Sequence, residues 1–400
     1  MTNLHIIIYS PFPDYSGGRE NWLHNIIPRL EEHFKAIYIY SFASDTPTVY
    51  SFQQEEKISI NKIKTLRTRH ILFSVLNRLT FRIPFILDAL IVYPHRLKKI
   101  ISQKFNKGDI FLALNSVIEL KPLIEMKKKS GLFHVICSVR GDVPTELTTQ
   151  FPLMKNWWQK SEKNLLSQAD LTLSNGFDTH ERLRSIGIRS IVMPNGVNYD
   201  RFSRLIKSND DSGSVLHEIK KRGQPIVMMV ATLRKIKGIE DMLRMIPYLK
   251  SEISRSAKFV FVGKGNQMPY KALASRLGVE DRVVFLGEQK NIPFMLSLAD
   301  VVVCTSGGGG MSMAALEAMA AGKAIVAWNS QIYQQLITHM HSGFLAEDEN
   351  LEELANGVDL LLTDRSLATR LGKNAQSSSK QYDWEIIADK LLSLLINHNE

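Results

Sequence analysis

Cysteine is almost missing from this 400-residue sequence. The two present, Cys137 and Cys304, each sit alone inside an apolar run, which argues against a disulfide framework and a cysteine-built zinc site and fits a reducing compartment. Long hydrophobic runs are missing too. The apolar stretch from Ile71 to Tyr93 is broken by Arg78, Arg82, Pro84 and Asp88, so it does not span a bilayer at ordinary insertion costs. At the start, Met1-Thr2-Asn3-Leu4-His5 lacks a basic lead, and Ile6-Ile7-Ile8-Tyr9 is too short for a signal core, so it reads as a buried first strand. His339 and His341 stand two apart with no third ligand nearby, and Asp210-Asp211 falls in a polar breaker cluster, so neither a metal nor another cofactor is expected. No repeat of solenoid length and no low-complexity tract is visible.

What is there is ordinary globular composition with an uneven charge. A chain of this length with 44% hydrophobic residues can bury a full core, and length alone favours two domains. The formal charge is +10, yet residues 57–107 hold 12 basic residues against one acid, Asp88, so the remainder is close to neutral. Within that segment Ile71, Leu72, Val75, Leu76 and Leu79 fall on one helix face, flanked by Arg67, Arg69, Arg78 and Arg82, which predicts helices. Two readings stay open: attachment to an anionic membrane surface, or a helical hairpin whose charged faces are merely solvated. Nucleic acid is not expected as a partner, because no recognised binding motif accompanies the charge.

Short apolar runs alternate with amphipathic stretches twice over, the α/β pattern of parallel βαβ units. Strands are expected at Leu4–Tyr9, Ala36–Tyr40, Ile110–Ala113, His134–Val139, Leu171–Ser174 and Ser190–Met193. A second series follows at Ile226–Val230, Lys258–Val262, Val283–Leu286, Val301–Cys304 and Ala324–Ala327, with helical stretches such as Gly238–Leu249 and Met313–Ala321. Between the halves, residues 208–214 form a polar cluster of the loop or linker kind.

Three places carry chemistry. After the first strand, Gly17-Gly18 precedes a helical pattern; paired glycines there let amides approach an anion, though they serve equally as a tight turn. At Val230 to Gly238 a strand end runs into Arg234, Lys235 and Lys237, three cations suited to a diphosphate unless they are simply solvated. The third is Thr305-Ser306-Gly307-Gly308-Gly309-Gly310-Met311-Ser312, leading into a helix that holds Glu317. Four glycines in a row stabilise neither helix nor strand, and a ligand's close approach to backbone explains them. Glu317 sits among small apolar residues, where a carboxylate needs a partner such as sugar hydroxyls or a local donor.

Taken in order, Pro11 with Gly17-Gly18 and Glu20, Met193-Pro194-Asn195-Gly196-Val197-Asn198 with Phe202, the Leu233 to Gly238 run, and Leu316-Glu317-Ala318-Met319-Ala320 resemble the landmarks of family-4 retaining glycosyltransferases. The resemblance spans nearly the whole chain. It implies an α/β fold of two Rossmann-like domains facing across a cleft, the GT-B architecture. Residues 1–197 would form an acceptor-binding domain that includes the basic segment, 198–382 a nucleotide-sugar domain, and 383–400 a helix crossing back, with Asn195-Gly196 near the crossover. It implies a nucleotide-sugar donor and a glycan or lipid-linked acceptor, as in polysaccharide or glycolipid synthesis at a cytoplasmic, peripheral membrane location. Gly17, Gly18, Gly308, Gly309, Gly310, Met311, Ser312 and Glu317 become the candidate donor-binding residues, Glu317 for the ribose hydroxyls.

Arg234, Lys237 and Arg140 become the candidate catalytic residues, and three positions depart from the family's pattern. Thr232 stands where an arginine is usual, and Arg234 is taken as its substitute. Gly309 replaces the carboxylate eight residues before Glu317, and Arg140 is the nearest match to the N-domain histidine. Those departures motivate an alternative, a non-catalytic transferase-like protein that supports a partner. An epimerase on the same scaffold would need cleft carboxylates for acid and base, and none can be placed.

Overall fold

The computed structural model describes residues 1–10, 18–42, 57–64, 87–140, 155–204, 214–308 and 310–397. Gly17, Gly309, the apolar face at 71–79 and the loop at 208–213 lie outside them. Two units emerge: Met1–Pro194 together with Glu385–Glu400, and Asn195–Trp384.

The first unit is built on seven strands: β1 (Leu4–Ile7), β2 (Ile37–Phe42), β3 (Ile58–Ile63), β4 (Ile110–Ala113), β5 (His134–Val139), β6 (Leu171–Ser174) and β7 (Ile191–Val192). They lie in the order β3-β2-β1-β4-β5-β6-β7, and every pairing is parallel. Leu4 faces Ile37 on one side and Ile110 on the other, so β1 is central and must be apolar along its length. His5 is the exception. It is fully buried but its two ring nitrogens meet the Tyr40 hydroxyl and the Asp109 carboxylate, each at 3.0 Å, and burial holds its pKa below the usual value. The helices that concern the site and surface of this unit are α1 (Gly18–Leu30), α2 (Tyr93–Ile101), α3 (Leu120–Ser130), α4 (Lys155–Leu166) and α5 (Phe177–Ser185).

The second unit repeats the scheme with six parallel strands: β8 (Ile226–Val230), β9 (Lys258–Val262), β10 (Val283–Gly287), β11 (Val301–Cys304), β12 (Ala324–Trp328) and β13 (Phe344–Ala346). Their order is β10-β9-β8-β11-β12-β13. Its relevant helices are α6 (Tyr199–Ser203), α7 (Ile239–Met245) and α8 (Met313–Ala320); the last helix of the chain, α9 (Trp384–Ile396), belongs after its first residue to the first unit. In each sheet the chain steps outward and then returns to the far side of its first strand. The strand order therefore reverses between β1 and β4 and between β8 and β11, and at such points the loops at the strands' carboxyl ends part to leave room for a ligand.

Every strand expected from the sequence is present, and the structure adds two. β3 corrects the reading of the basic segment as helical throughout: residues 58–63 pair beside β2 as an edge strand, while the described residues from Asp88 to Ile101 are helical. β13 has only three residues, too few to show a period. The helical stretch expected over 238–249 is shorter as α-helix, with Pro247 in the tight turn that closes it.

Candidate functional site

The loops leaving β8 and β11 flank the reversal point of the second sheet. After β8 the chain passes Ala231 to Arg234, makes one tight turn over Lys235–Lys237, and enters α7 through Gly238. Gly238 has φ of +68°, and a Cβ there would lie 2.3 Å from the Thr305 carbonyl oxygen. Only glycine lets the two loops press together this closely. Three hydrogen bonds then clamp the second loop: Thr305 Oγ1 donates to the Gly238 carbonyl at 2.9 Å, the Gly307 N–H to the Ile236 carbonyl at 3.0 Å, and the Ser306 N–H to the Tyr333 hydroxyl at 2.7 Å.

Lys237 points into this clamp. It is partly buried, its Nζ donates to Ser306 Oγ at 3.4 Å, and burial followed by the field of Arg234 holds its pKa below the usual lysine value. Arg234 is exposed and its Nε donates to Thr232 Oγ1 at 3.3 Å. Among the described residues no carboxylate pairs with either cation. Two neighbouring cations with only hydroxyls as hydrogen-bond partners make a place for an anion.

Beyond Gly308 the chain turns at Gly310, with φ of +90°, buries Met311, and starts α8 with Ser312 as its cap. Ser312 Oγ accepts from the Ala315 N–H at 3.3 Å and also bonds the Tyr333 hydroxyl. The Gly307 and Gly308 amides are already committed, to Ile236 and to Ser306 Oγ. Among the described residues, amides for an anion are thus sought at Met311, Ser312 and the first turn of α8, where the helix dipole adds its attraction.

Glu317 lies one turn further along α8. It is partly buried, and no hydrogen bond among the described residues reaches its carboxylate. Burial pushes its pKa up to about 7, with Arg201 of α6 pulling the other way. The buried Cys304 thiol, pushed up to about 12 by burial, feels both Glu317 and Lys237, so the carboxylate and the ammonium both lie near the end of β11.

The remaining described candidates, Gly18 and Arg140, belong to the first unit. Gly18 opens α1. Arg140 follows β5; it is 7% exposed, its guanidinium stacks 4.2 Å from the Trp22 ring centre, and Nη1 donates to Ser138 Oγ at 3.3 Å. Burial lowers its pKa to about 9. Sequence reasoning passed over Glu119, which is fully buried where the β1 and β4 ends meet: Oε1 accepts from the Tyr9 N–H at 3.0 Å and from Arg19 at 3.3 Å, while Oε2 has no partner among the described residues. It also passed over Tyr333 and the Gly263-Lys264-Gly265 turn after β9, where a Cβ on Gly263 would meet the Ala231 carbonyl oxygen at 1.9 Å, and it gave Ser306 no role of its own within the glycine run. The glycine pair after an apolar run was a readable signal; Tyr333 offered none. His339 is spent on structure, its Nδ1 accepting from the Leu345 N–H at 3.0 Å, and among the described residues no group of three His, Cys, Asp or Glu could hold a metal ion.

Residues 217–378 match the family described as glycosyl transferases group 1. The match lies within the second unit. Among curated relatives, the family resemblance extends to the N,N'-diacetylbacillosaminyl-diphospho-undecaprenol alpha-1,3-N-acetylgalactosaminyltransferase of Campylobacter jejuni, 29% identical over 218 residues, which are 54% of this chain and 57% of that protein. The GDP-mannose-dependent alpha-(1-6)-phosphatidylinositol monomannoside mannosyltransferase of Mycobacterium tuberculosis is 29% identical over 218 residues, 51% of this chain and 54% of that one. The chain therefore spans only a little over half the length of these relatives. Among solved structures, Anabaena HepE in complex with UDP superposes with a TM-score of 0.75 at 19% identity over 99% of this chain and 100% of that one. Sucrose-phosphate synthase from Thermosynechococcus elongatus gives 0.77 at 18% identity, covering 98% of each chain. At such identities the likeness establishes the fold, the two Rossmann-like sheets of the GT-B class.

Proposed function

We propose that this chain is a retaining glycosyltransferase that moves a hexosyl group from a nucleoside-diphosphate sugar to a glycan or lipid-linked acceptor, without a metal, in cell-surface polysaccharide or glycolipid synthesis. The observation that carries the reading is the pairing at the second sheet's reversal point: Lys237 and Arg234 on one loop, the amides at the start of α8 and Glu317 beyond the other, with no carboxylate among the described residues neutralising the cations. The diphosphate of the donor sits against Lys237, Arg234 and the start of α8, and Glu317 accepts from the ribose hydroxyls. In the reaction the bond from the sugar's anomeric carbon to the diphosphate oxygen breaks as the acceptor oxygen attacks on the same face. The acceptor's proton passes to the leaving phosphate oxygen. Cations and amides that meet the charge on that oxygen lower the barrier, and losing one preorganised group costs about 10²–10³ in rate.

The first unit takes the acceptor in this reading, with Gly18 and Arg140 at the carboxyl edge of its sheet. The complex of HepE with UDP and the names of the two lipid-acting relatives support trying uridine and guanosine diphosphate sugars first, with undecaprenyl- or inositol-linked acceptors. The test is a hydrolysis and transfer assay over a panel of such donors, with Lys237→Ala beside the wild type. Turnover by the wild type and a loss of about 10²–10³ in the variant are expected. Nucleotide binding without turnover of any donor would favour the non-catalytic reading that Gly309 and Arg140 motivate.

A further inference from the structure

Tyr333 stands outside the reaction proposed above, yet its hydroxyl bridges the two ends of the glycine run. It is fully buried, on the short helix Gln331–Gln334 that follows β12. The hydroxyl oxygen accepts from the Ser306 N–H at 2.7 Å, and the same hydroxyl meets Ser312 Oγ at the start of α8. Burial holds its pKa well above the ordinary tyrosine value, so the phenol keeps its proton at neutral pH. A buried hydroxyl must give that proton to an acceptor or forfeit a hydrogen bond. Among the described residues Ser312 Oγ is the acceptor in reach.

The proton count then fixes Ser312. Its oxygen has two lone pairs, and as the cap of α8 it already takes the Ala315 N–H at 3.3 Å. With the Tyr333 proton on the second pair, Ser312 can accept nothing more, and only its own proton is left to give. Among the described residues nothing takes that proton, and Ser312 is partly exposed where Tyr333 is not. At the other end of the run, Ser306 Oγ accepts from Lys237 Nζ at 3.4 Å and donates to the Ile236 carbonyl at 3.3 Å. One phenol therefore holds both the serine that orients Lys237 and the serine that caps α8. A hydroxyl that can only donate suits an anion, as do the lysine beside it and the helix start beneath it.

We propose that Tyr333 is a positioning residue of the donor site: its hydroxyl braces Ser306 against Ser312 and turns the Ser312 proton toward the diphosphate, which makes that serine a further hydrogen-bond donor to the leaving group. The inference rests on the donor site proposed above. Its test is titration of the full chain with UDP and GDP by calorimetry, and with uridine and guanosine by nuclear magnetic resonance. The proteins are the wild type, Tyr333→Phe, Ser312→Ala and the double variant. Tyr333→Phe keeps the ring and its packing. Each single variant should lose about tenfold in affinity for the diphosphate that the wild type binds, the worth of one charge-assisted hydrogen bond, and little for the nucleoside. Because Tyr333 acts through Ser312, the double variant should lose no more than the worse of the two. Ser312→Thr, which keeps a hydroxyl, should recover most of the Ser312→Ala loss. Where a donor is turned over, kcat should fall more than KM rises, since the diphosphate gains its charge only as the bond to the sugar breaks. Unchanged diphosphate affinity in Tyr333→Phe overturns the proposal. So do equal losses for nucleoside and diphosphate, or losses that multiply in the double variant, because either marks a merely structural role. The expected binding pattern without turnover of any donor sinks the transferase reading and leaves the positioning role standing. Turnover with Tyr333→Phe unaffected does the reverse, and a wild type that binds neither nucleotide sinks both.

Discussion

Glu317 is the residue whose chemistry is most exposed to experiment, because its proton sits in the accessible range. Its carboxyl is held at about 7 by burial, against an ordinary value of 4.5. Below 4.5 the folded and unfolded chains are both protonated there, and the residue costs nothing. Between 4.5 and 7 the unfolded chain has released the proton and the folded one keeps it, so stability falls as pH rises, by roughly 3 kcal/mol at most. Above 7 the loss is constant. Glu317→Gln should therefore melt higher than wild type at pH 8 and equally at pH 4.5, by calorimetry; a wild-type advantage at pH 8 would show a carboxylate already stabilised by a partner. Donor binding reverses the sign. Ribose hydroxyls donate to the ionised form, so a bound nucleoside diphosphate pulls the pKa down, and the wild type's affinity should gain on that of Glu317→Gln as pH rises from 6 to 8 in titration calorimetry. A constant ratio between the two proteins would place the ribose elsewhere.

At the scale of elements, two glycines separate local strain from site geometry. Gly131, which ends α3, has φ of +62° with nothing within 4 Å of a Cβ, so Gly131→Ala should cost only the left-handed backbone term, about 1–2 kcal/mol, and leave nucleotide binding alone. Gly238→Ala meets the same backbone cost and also drives a methyl onto the Thr305 carbonyl, which forces apart the two loops that hold Lys237. It should lose stability beyond the Gly131 variant and nucleotide affinity as well, both measurable by thermal shift with and without UDP. Equal behaviour of the two variants would mean that the clamp does not shape the site. The same contrast explains what was legible in the sequence. Central strands such as Ile226–Val230 and Val301–Cys304 are apolar on both faces and bounded by loops, so composition alone reveals them. β3 is an edge strand, buried at Ile58 and Ile63 but not between, and its Lys62 reads as part of a charged helix until β2 is seen beside it. In the site, residue type betrayed Lys237, the glycines and Glu317. Ser306 and Tyr333 become functional only because the fold brings residues 27 apart within 2.7 Å.

At the scale of the molecule the chain leaves the first unit after Pro194 and rejoins it at Glu385. The outgoing and returning strands are pinned together inside the second unit. Gly196 lies under the Trp384 ring so closely that a Cβ would approach it to 2.4 Å, the Val197 N–H donates to the Tyr382 carbonyl at 2.8 Å, and the Tyr199 N–H to the Asp383 carboxylate at 3.0 Å. Gly196 thus answers to packing, whatever else its motif does. After Trp384, α9 contributes Ile387, Ala388, Leu391 and Leu395, all 2% exposed or less, and Lys390 caps the Val192 carbonyl at 3.0 Å. Burying three branched side chains of this kind stabilises by roughly 5–9 kcal/mol, comparable with the whole 5–15 kcal/mol that a domain commands. A chain ending at Trp384 keeps every residue of the second unit and removes this helix from the first. It should retain a UDP-dependent thermal shift, lose the unfolding transition of the first unit, become sensitive to limited proteolysis within residues 1–194, and transfer no sugar. If both transitions and the proteolytic pattern match the full chain, α9 is an appendage and the first unit is complete without it.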